Sequence, residues 1–338
     1  MAAAVNLPDS DPARLIASLR GAGLVRSSTP ALRPLPGGVS SEILRVDDGD
    51  RTFVVKRALA RLRVRDDWFA DVSRGRSELA YLRRASAIVP GCTPRVLFAP
   101  PSGEWFAMEF LGDEFANWKT LLAGGHAEPR PAREAGTLLG RVHGATWKDP
   151  AVAREFSTLG NFRQLRLDPY LETSAHRVPD LAPQLRAEQD RLAGTTLALV
   201  HGDFSPKNIL LSSDRLVLLD AEVAWFGDPV FDTAFLLTHF FLKSLLRAGD
   251  PEPVLQLGRV FWSAYVDALG TNDHEALERR TTRLMLCLML ARVHGKSPVE
   301  YLAPPQQALV TSFVRAHLPQ PASRLSSLTA AWRESIRQ

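Results

Sequence analysis

The sequence predicts an α+β protein with two lobes, a small antiparallel sheet and then a mostly helical part. The chain has 338 residues, which exceeds the usual size of a domain with a single core. Between residues 30 and 111, short strand patterns alternate with tight turns around one helical segment. From residue 112 onward, Leu, Ala and Val recur at helical spacing. We expect a helical cap at 1–29, a sheet lobe at 30–111 and a helical lobe at 112–338.

The sheet lobe is expected to contain five strands and one helix. Turns at 36–38 and 47–50 separate the first three strands, which therefore form a meander. The helix is predicted at 71–86. The strands are predicted at 32–35, 42–46, 52–57, 95–98 and 105–110.

The helical lobe is expected to contain one strand-like island, a strand at 197–200 and a hairpin of 208–211 with 216–219. Helical spacing of apolar residues marks the remainder. The helices are predicted at 131–147, 181–193, 229–247, 254–269, 273–294 and 304–317.

The composition is that of an ordinary globular protein. With 45% hydrophobic and 23% charged residues, long disorder is not expected. Apolar stretches such as 234–246 are too short or interrupted to cross a bilayer, and the first residues lack the pattern of a secretory signal. Two cysteines, Cys92 and Cys287, lie far apart, as in a reduced compartment. We expect a cytoplasmic protein that does not bind a membrane.

The charge balance argues against a nucleic-acid partner. The chain has 41 Lys and Arg against 37 Asp and Glu, a net charge of +4, and these residues are spread along it. The densest basic run, 56–65, has no interleaved aromatic or Gly-Arg-rich sequence. We expect no nucleic-acid binding, and the sequence indicates no oligomeric state.

The most informative segment runs from Leu199 to Glu222. Asp203 and Asn208 share a loop, and Asn208 opens a strand whose hairpin partner ends at Asp220. Because a hairpin returns its ends to each other, Asn208 and Asp220 are expected side by side with Asp203 nearby. Magnesium takes one or two protein oxygen ligands beside waters and phosphate oxygens. The set suits magnesium-assisted phosphoryl transfer, with Asp203 facing an acceptor hydroxyl.

This segment resembles the catalytic loop of the aminoglycoside phosphotransferase and choline kinase superfamily, small-molecule kinases with a protein-kinase-like fold. The family pattern is His-Gly-Asp, four residues, Asn, a hairpin to Asp, then Gly-Asp-Pro and Asp. The matching residues here are His201-Gly202-Asp203, Asn208, Asp220, Gly227-Asp228-Pro229 and Asp232.

The resemblance implies an ATP- and Mg²⁺-dependent enzyme that transfers the γ-phosphoryl group to a hydroxyl of a small molecule. Asp203 would be the catalytic base or would position the hydroxyl, and Asn208 and Asp220 would bind the metal. A non-catalytic nucleotide-binding regulatory protein of the same fold is the alternative, although Asp203, Asn208 and Asp220 are all present.

Further residues of the segment are expected to support the loop. By resemblance His201 would brace it, while Asp228 and Asp232 would fix the next turn and cap a helix from Thr233. Each of these residues taken singly is also a common core, turn or capping residue.

Two departures from the family pattern concern charge. The family commonly has His-Pro-Gly before the asparagine, whereas this chain has Ser-Pro-Lys ending at Lys207. Lys207 would stabilise the transferred phosphoryl group, contact an anionic acceptor or face solvent. Glu222, two residues after Asp220, resembles a methylthioribose kinase feature and would lie near metal or substrate. Methylthioribose kinases lack the residue corresponding to Asn208.

The sheet lobe carries the nucleotide-binding candidates that the resemblance implies. Lys56 ends the third strand and would contact the α- and β-phosphates, and Glu78 on the helix would hold its ammonium. Glu42 competes with Glu78 as the partner of Lys56. The alternative to nucleotide binding is that Lys56 and Glu78 are solvated surface residues.

Two backbone segments complete the expected nucleotide site. Gly38, Ser40 and Ser41 lie in a loop that would cover the phosphates, although a glycine pair before a strand is equally a hairpin turn. The backbone from Glu109 to Leu111 would pair with the adenine edge by resemblance.

The acceptor is expected to be a neutral or anionic hydroxylated metabolite such as a sugar. Residues 243–338 contain 12 Lys and Arg against 8 Asp and Glu, which does not suit a polycation. An aminoglycoside or amino-alcohol acceptor remains the alternative. Aromatic residues would form either the core or an acceptor pocket. They are Trp225, Phe226, Phe231, Phe235, Phe240, Phe241, Trp262 and Tyr265.

Overall fold

A computed structural model describes most of the chain. The described residues are 12–36, 40–63, 69–247, 249–271 and 273–337. They form two compact units, and most of the predicted sheet-lobe helix belongs with the second. The N-terminal unit takes residues up to Gly75 and Pro94–Leu111, and the C-terminal unit takes Arg76–Thr93 and the chain from Gly112 onward. No helix among the described residues is long and apolar enough to span a membrane.

The N-terminal unit is an antiparallel sheet of five strands. Their bounds are β1 Ala31–Pro34, β2 Ser41–Asp48, β3 Arg51–Ala58, β4 Val96–Phe98 and β5 Phe106–Glu109. The sheet order is β1-β2-β3-β5-β4. Helix α1, Pro12–Gly21, buries Leu19 in the same apolar cluster as Val46, Phe53 and Val55 of the sheet. β-Branched and aromatic residues on β2 and β3 supply the half-buried pleat that a strand requires.

The C-terminal unit is mostly helical and includes most of α2, Arg74–Ile88. Its long helices pack around α9, in which every residue from Val230 to Ser244 is buried. After α2, the α-helices are α3 Trp118–Ala123, α4 Pro129–Ala145, α5 Pro150–Glu155, α6 Leu159–Phe162, α7 Thr173–Arg177, α8 Ala182–Ala193, α9 Val230–Ser244, α10 Glu252–Leu269, α11 His274–His294, α12 Pro304–His317 and α13 Leu325–Ser335. Between α6 and α7 lies a π-helix at Arg163–Glu172, and 3₁₀ turns lie at Pro179–Leu181 and Pro206–Asn208.

Two small antiparallel sheets position the central loop of this unit. The strands are β6 Ala116–Asn117, β7 Ala198–Val200, β8 Ile209–Leu211, β9 Leu216–Leu218 and β10 Trp225–Gly227. Strand β10 pairs with β7, and β8 lies between β6 and β9. The loop between β7 and β8 is therefore anchored to a different sheet at each end.

A line of glycines joins α4 to α10. Gly136, Gly140 and Gly144 follow one another at one-turn spacing, and a Cβ atom on any of them would overlap a backbone carbonyl oxygen of α10. The facing carbonyls belong to Phe261, Tyr265 and Leu269. The two backbones thus pack in contact, which only glycine allows.

The main elements predicted from the sequence are present, with ends that shift by a few residues. The elements that were not predicted are the π-helix, the short helices α3, α5, α6 and α7, the last helix α13, and strands β6 and β10. Strand β10 has three residues and β6 has two, which is too short for an alternating pattern to be recognised.

Candidate active site

The loop after β7 makes its turn at a glycine. Gly202 has φ of 77°, which L side chains rarely adopt. A Cβ atom here would also lie 2.7 Å from the carbonyl oxygen of Val223. Glycine at this position allows the chain to turn into Asp203 against the segment that follows β9.

Asp232, in the first turn of α9, anchors this loop. Its carboxylate accepts hydrogen bonds from the N–H groups of His201 at 2.7 Å and Gly202 at 2.9 Å. The ring of His143 lies 3.3 Å from the same carboxylate. The expected helix cap is therefore wrong for Asp232, because α9 begins at Val230 and the carboxylate binds the loop instead.

His201 is a buried neutral side chain. Its Nδ1 accepts the N–H of Asp203 at 3.2 Å, and its ring packs edge-on against Tyr81 with centroids 5.0 Å apart. Burial lowers the pKa of His201 more than nearby Asp232 and Asp203 raise it. A neutral ring can accept that N–H, as a brace of the loop requires.

The carboxylate of Asp203 is the centre of the site, and its two oxygens differ. Oδ2 lies 2.8 Å from the Asn208 amide nitrogen, 2.9 Å from the Lys207 ammonium and 3.0 Å from the Arg166 guanidinium. Oδ1 is buried and has no hydrogen-bond partner among the described residues. Since an unpartnered buried oxygen is costly, Oδ1 is the atom that a bound hydroxyl would satisfy.

The neighbouring cations set the charge of Asp203. Burial raises the pKa of Asp203, but the charges of Arg166 and Lys207 outweigh it and hold the pKa below its usual value. Burial lowers the pKa of Lys207, but Asp203 and Asp220 outweigh it and hold that pKa above its usual value. The Lys207 side chain is half exposed. Asp203 is thus ionised at neutral pH, and the Asp203–Lys207 ion pair is formed.

Arg166 is a site residue that the sequence did not reveal. It projects from the π-helix, is 7% exposed, and donates from Nε to the carbonyl of Gly202 at 2.7 Å while its Nη2 pairs with Asp203. Nothing in its local sequence marks it, because a π-helix departs from the 3.6-residue period by which buried faces are recognised.

Asn208 and Asp220 meet at the base of the predicted hairpin. The N–H of Leu219 donates to the carbonyl of Asn208 at 2.9 Å, which places the next residue, Asp220, beside the asparagine. Asp220 has φ of 66°, a strained conformation for a non-glycine residue. Strain of this kind is concentrated at functional sites.

The oxygen atoms of Asn208 and Asp220 suit magnesium as ligands. The Asn208 amide nitrogen donates to the carbonyl oxygen of Asp203 at 3.0 Å as well as to its carboxylate, which leaves the amide oxygen as the cation-binding atom. An amide oxygen and the Asp220 carboxylate are hard ligands. No group of three or more His, Cys, Asp or Glu side chains in the described ranges could hold a metal ion. Magnesium needs only one or two protein ligands, so the fit stands.

Glu222 and Asp228 occupy different surroundings. Glu222 is 5% exposed, and its field acts on Arg166. Asp228 accepts the N–H of Val230 at 3.2 Å, as expected of a residue that fixes this turn. Its carboxylate also pairs with Arg191 and Arg280, which makes it a structural residue.

In the N-terminal unit, Lys56 is buried on β3 and 3% exposed. Glu42, the competing partner, is the cross-strand neighbour of Arg57 and lies 3.0 Å from its guanidinium. Adjacent residues of a strand point to opposite faces, so Glu42 is directed away from the Lys56 face. The roles of Lys56 and Glu78 stay predictions.

The expected phosphate loop is described only in part. Gly38 lies outside the described residues. Ser40 and Ser41 are buried, and a buried arginine, Arg74, donates to the carbonyl of Ser40 at 2.6 Å and to that of Leu59 at 2.6 Å. Arg74 was not predicted, and it fixes one end of this loop.

The other nucleotide candidates lie on two elements. Glu78 is 3% exposed on α2 in the C-terminal unit. Glu109 ends β5, where its N–H donates to the carbonyl of Arg95 and its carboxylate accepts the N–H of Arg95, both at 2.9 Å. Leu111 is partly buried at the end of the N-terminal unit.

The aromatic residues proposed as core or pocket lie mainly in the core. Seven of the eight are less than 9% exposed, and Trp262 is partly buried. Several stack on one another, as Phe231 does on Phe235 with centroids 5.6 Å apart. Their contribution is packing of the helical unit.

A profile of the phosphotransferase enzyme family matches residues 31–261, more than half of the chain. The chain belongs to this family. The resemblance found in the catalytic segment is thereby confirmed, and members of the phosphotransferase enzyme family are expected to bind ATP.

Related proteins agree with this membership. The chain is 26% identical over 293 residues to a methylthioribose kinase of Bacillus velezensis, covering 77% of this chain and 73% of that one. Two solved structures share the fold. A Plasmodium vivax ethanolamine kinase has a TM-score of 0.56 at 11% identity, covering 92% of this chain and 95% of that one. An ADP-bound aminoglycoside phosphotransferase has a TM-score of 0.51 at 16% identity, covering 96% and 99%. The predicted protein-kinase-like fold class is confirmed.

Proposed function

We propose that the protein is a Mg²⁺- and ATP-dependent kinase that phosphorylates a hydroxyl group of a small molecule. One observation carries the proposal. The buried carboxylate of Asp203 has one oxygen held by three donors and the other without a partner among the described residues. This arrangement holds the carboxylate still and leaves one atom to receive a hydroxyl.

Asp203 orients the acceptor hydroxyl and takes its proton late. Its lowered pKa makes it a weak base, which would be a disadvantage if the proton had to leave before phosphoryl transfer. In a loose transition state the hydroxyl needs little deprotonation until the new bond forms. Alignment of the hydroxyl by Oδ1 is therefore the main contribution of Asp203.

Asn208 and Asp220 would hold magnesium through the amide oxygen and the carboxylate. The ion would neutralise charge on the phosphate oxygens of the nucleotide. Lys207, beside Asp203, is suited to stabilise the charge of the transferred group. Lys56, Glu78, Ser40, Ser41 and the backbone near Glu109 and Leu111 are proposed to bind ATP, and the buried position of Lys56 supports this role.

The acceptor is proposed to be a neutral or anionic hydroxylated metabolite. Arg166 and Lys207 stand at the hydroxyl-binding carboxylate, where a polycation would be repelled. The likeness to a methylthioribose kinase supports a sugar-like acceptor.

The proposal is tested by ADP release with Mg-ATP and pools of sugars, sugar acids, amino alcohols, nucleosides and aminoglycosides. Asp203→Asn removes the charge that aligns the hydroxyl, so turnover should fall about 10²- to 10⁴-fold while ATP affinity changes little. The matched control is Asp214→Asn, the same substitution at the exposed hairpin turn.

Asp214→Asn should retain wild-type turnover. Equal turnover of Asp203→Asn and wild type would refute the role of Asp203. Tight Mg-ATP binding without stimulated ADP release in any pool would favour the regulatory alternative.

A further inference from the structure

Helix α9 carries a buried lysine that has no anionic partner. Lys243 is 3% exposed, and its ammonium lies 4.7 Å from the centre of the Tyr301 ring. Its side chain makes no hydrogen bond or ion pair with any residue that the structure describes. Glu300 lies near enough to act on Lys243 electrostatically, but it pairs with Lys119 at 2.5 Å. An ammonium on a largely buried side chain, without an anionic partner, is stabilised when a ligand supplies the opposite charge.

A buried histidine lies one turn earlier on α9. His239 is 7% exposed, and its ring packs edge-on against Phe235 with centroids 5.3 Å apart. In the described part of the chain, its ring nitrogens have no hydrogen-bond partner. Burial lowers the pKa of His239 strongly, and the charges of Arg292, Lys243, Lys207 and Lys119 lower it further. The charges of four cations thus act on His239.

Two more donors in this region are unused. The Nε of Arg292 and the hydroxyl of Tyr301 are buried and lack hydrogen-bond partners among the described residues. The other end of Arg292 is held, because its Nη1 lies 3.1 Å from the hydroxyl of Ser297 and 3.2 Å from that of Tyr170. The charge of Arg292 also acts on Tyr301. Ammonium, guanidinium, imidazole and phenol groups therefore lie in one region, and each has a donor that could bind an oxyanion.

The ring of Tyr170 links this region to the carboxylate of Asp203, because it contacts Arg292 as well as Arg166. The guanidinium groups of Arg166 and Arg292 each lie 5.7 Å from the centre of the Tyr170 ring. Arg166 in turn binds Asp203 at 3.0 Å. A compact molecule could therefore place a hydroxyl at Asp203 and a charged group at Arg292.

We propose that Lys243, Arg292, His239 and Tyr301 bind an oxyanion of the phosphate acceptor, so that the acceptor is a hydroxylated acid with a carboxylate or a phosphate ester. The inference rests on the proposed kinase function and assigns the acceptor class to it. Charge-assisted hydrogen bonds from these groups would orient the acceptor and offset its charge.

The site is tested first without turnover, with inorganic phosphate as the probe. Thermal unfolding of wild type, Lys243→Met and Lys296→Met is measured in rising phosphate at constant ionic strength. Lys296 is exposed, so its substitution makes the same change of charge away from the site. Phosphate should raise the Tm of wild type and Lys296→Met in a saturable way, with an apparent Kd about tenfold or more weaker in Lys243→Met.

Without phosphate, Lys243→Met should unfold at the wild-type temperature or higher, because a buried unpaired charge is removed. A lower Tm would show that Lys243 is structural and would overturn the proposal. The same conclusion follows if wild type shows no saturable response, or if Lys243→Met responds like wild type.

The second arm compares neutral acceptors with acidic analogues of related carbon skeleton, by ADP release with glycerol, glycerate and glycerol phosphate, and with glucose, gluconate and glucose 6-phosphate. One acid in a series should exceed its neutral analogue about tenfold in kcat/KM, and Lys243→Met should abolish the difference. The acid with the higher kcat/KM shows whether the site binds a carboxylate or a phosphate ester. A faster neutral analogue would overturn the inference.

The two proposals fail in different ways. Phosphate binding that depends on Lys243, without ADP release for any acceptor, supports the anion site and refutes the kinase function. ADP release with neutral acceptors, together with a phosphate response that Lys243→Met leaves intact, supports the kinase function and refutes the anion site.

Discussion

Two groups of buried charges in the C-terminal unit are built on opposite principles. In the first, defined by Glu188 and Asp228, each carboxylate is fully buried and pairs with two arginines. Arg191 binds both carboxylates, Arg280 binds Asp228 at 3.2 Å, and Arg283 binds Glu188 at 3.1 Å. In the second, around Lys243, the ammonium of Lys243 has no ion-pair partner and the Nε of Arg292 has no hydrogen-bond partner among the described residues.

Buried charges that are paired stabilise the fold, whereas buried charges that are unpaired indicate a binding site. Paired charges hold α8, α11 and the turn before α9 together and need no ligand. Unpaired buried charges are unfavourable in the free protein and become favourable only when a ligand supplies the missing charge. Asp203 combines both situations, with one oxygen compensated by three donors and the other open.

The largest effect on stability is expected when an ion pair of the first group, around Glu188 and Asp228, is removed. Asp228→Asn leaves Arg191 and Arg280 without their counter-charge, and each arginine is about one quarter exposed. The free energy of unfolding should fall by about 3 kcal/mol, as for other broken buried ion pairs. Thermal unfolding measures the change.

The control is Arg186→Gln, which removes an exposed pair with Glu172. Its Tm should match that of wild type. A Tm of Asp228→Asn equal to that of the control would show that compensation at Asp228 adds no stability.

A smaller effect, now on activity, is expected when Asp203 loses a partner. Arg166→Met removes the guanidinium at 3.0 Å and its bond to the Gly202 carbonyl, so kcat/KM should fall about 10- to 100-fold. Because Arg166 lowers the pKa of Asp203, its loss should move the acid limb of kcat/KM to higher pH. An unchanged acid limb would contradict this electrostatic role.

The smallest effect is expected for Lys207→Met. The Lys207 side chain is half exposed, and solvent screens its interaction with Asp203. The fall in kcat/KM should stay below about tenfold, with a shift of the acid limb in the same direction as for Arg166→Met but smaller. Parallel pH profiles of the two variants provide the measurement, and a larger shift for Lys207→Met would reverse the proposed ranking.

The parts predicted from the sequence depend on local patterns. The hairpin that joins Asn208 to Asp220 follows from two apolar runs around a polar turn, and the structure has it. The meander of the first three strands follows from short strand patterns and tight turns, and the long helices follow from the period of 3.6 residues.

The parts that were missed depend on tertiary contacts. Arg166 reaches Asp203 from a π-helix that no helical period predicts. Asp232 looked like a helix cap because it lies near a helix start. Its carboxylate oxygens instead accept hydrogen bonds from the N–H groups of a loop about 30 residues earlier. The four cations that act on His239 come from α3, α9, α11 and the loop before β8, so their convergence is visible only in the folded chain.

The glycine line between α4 and α10 limits how this chain can change in length. Inserting one residue between Gly136 and Gly140 would rotate the glycines on its two sides by about 100° relative to each other. One part of α4 would then present side chains to the carbonyls of α10. Related chains should therefore differ in length before or after this stretch, and the stretch can serve as a fixed reference for aligning them.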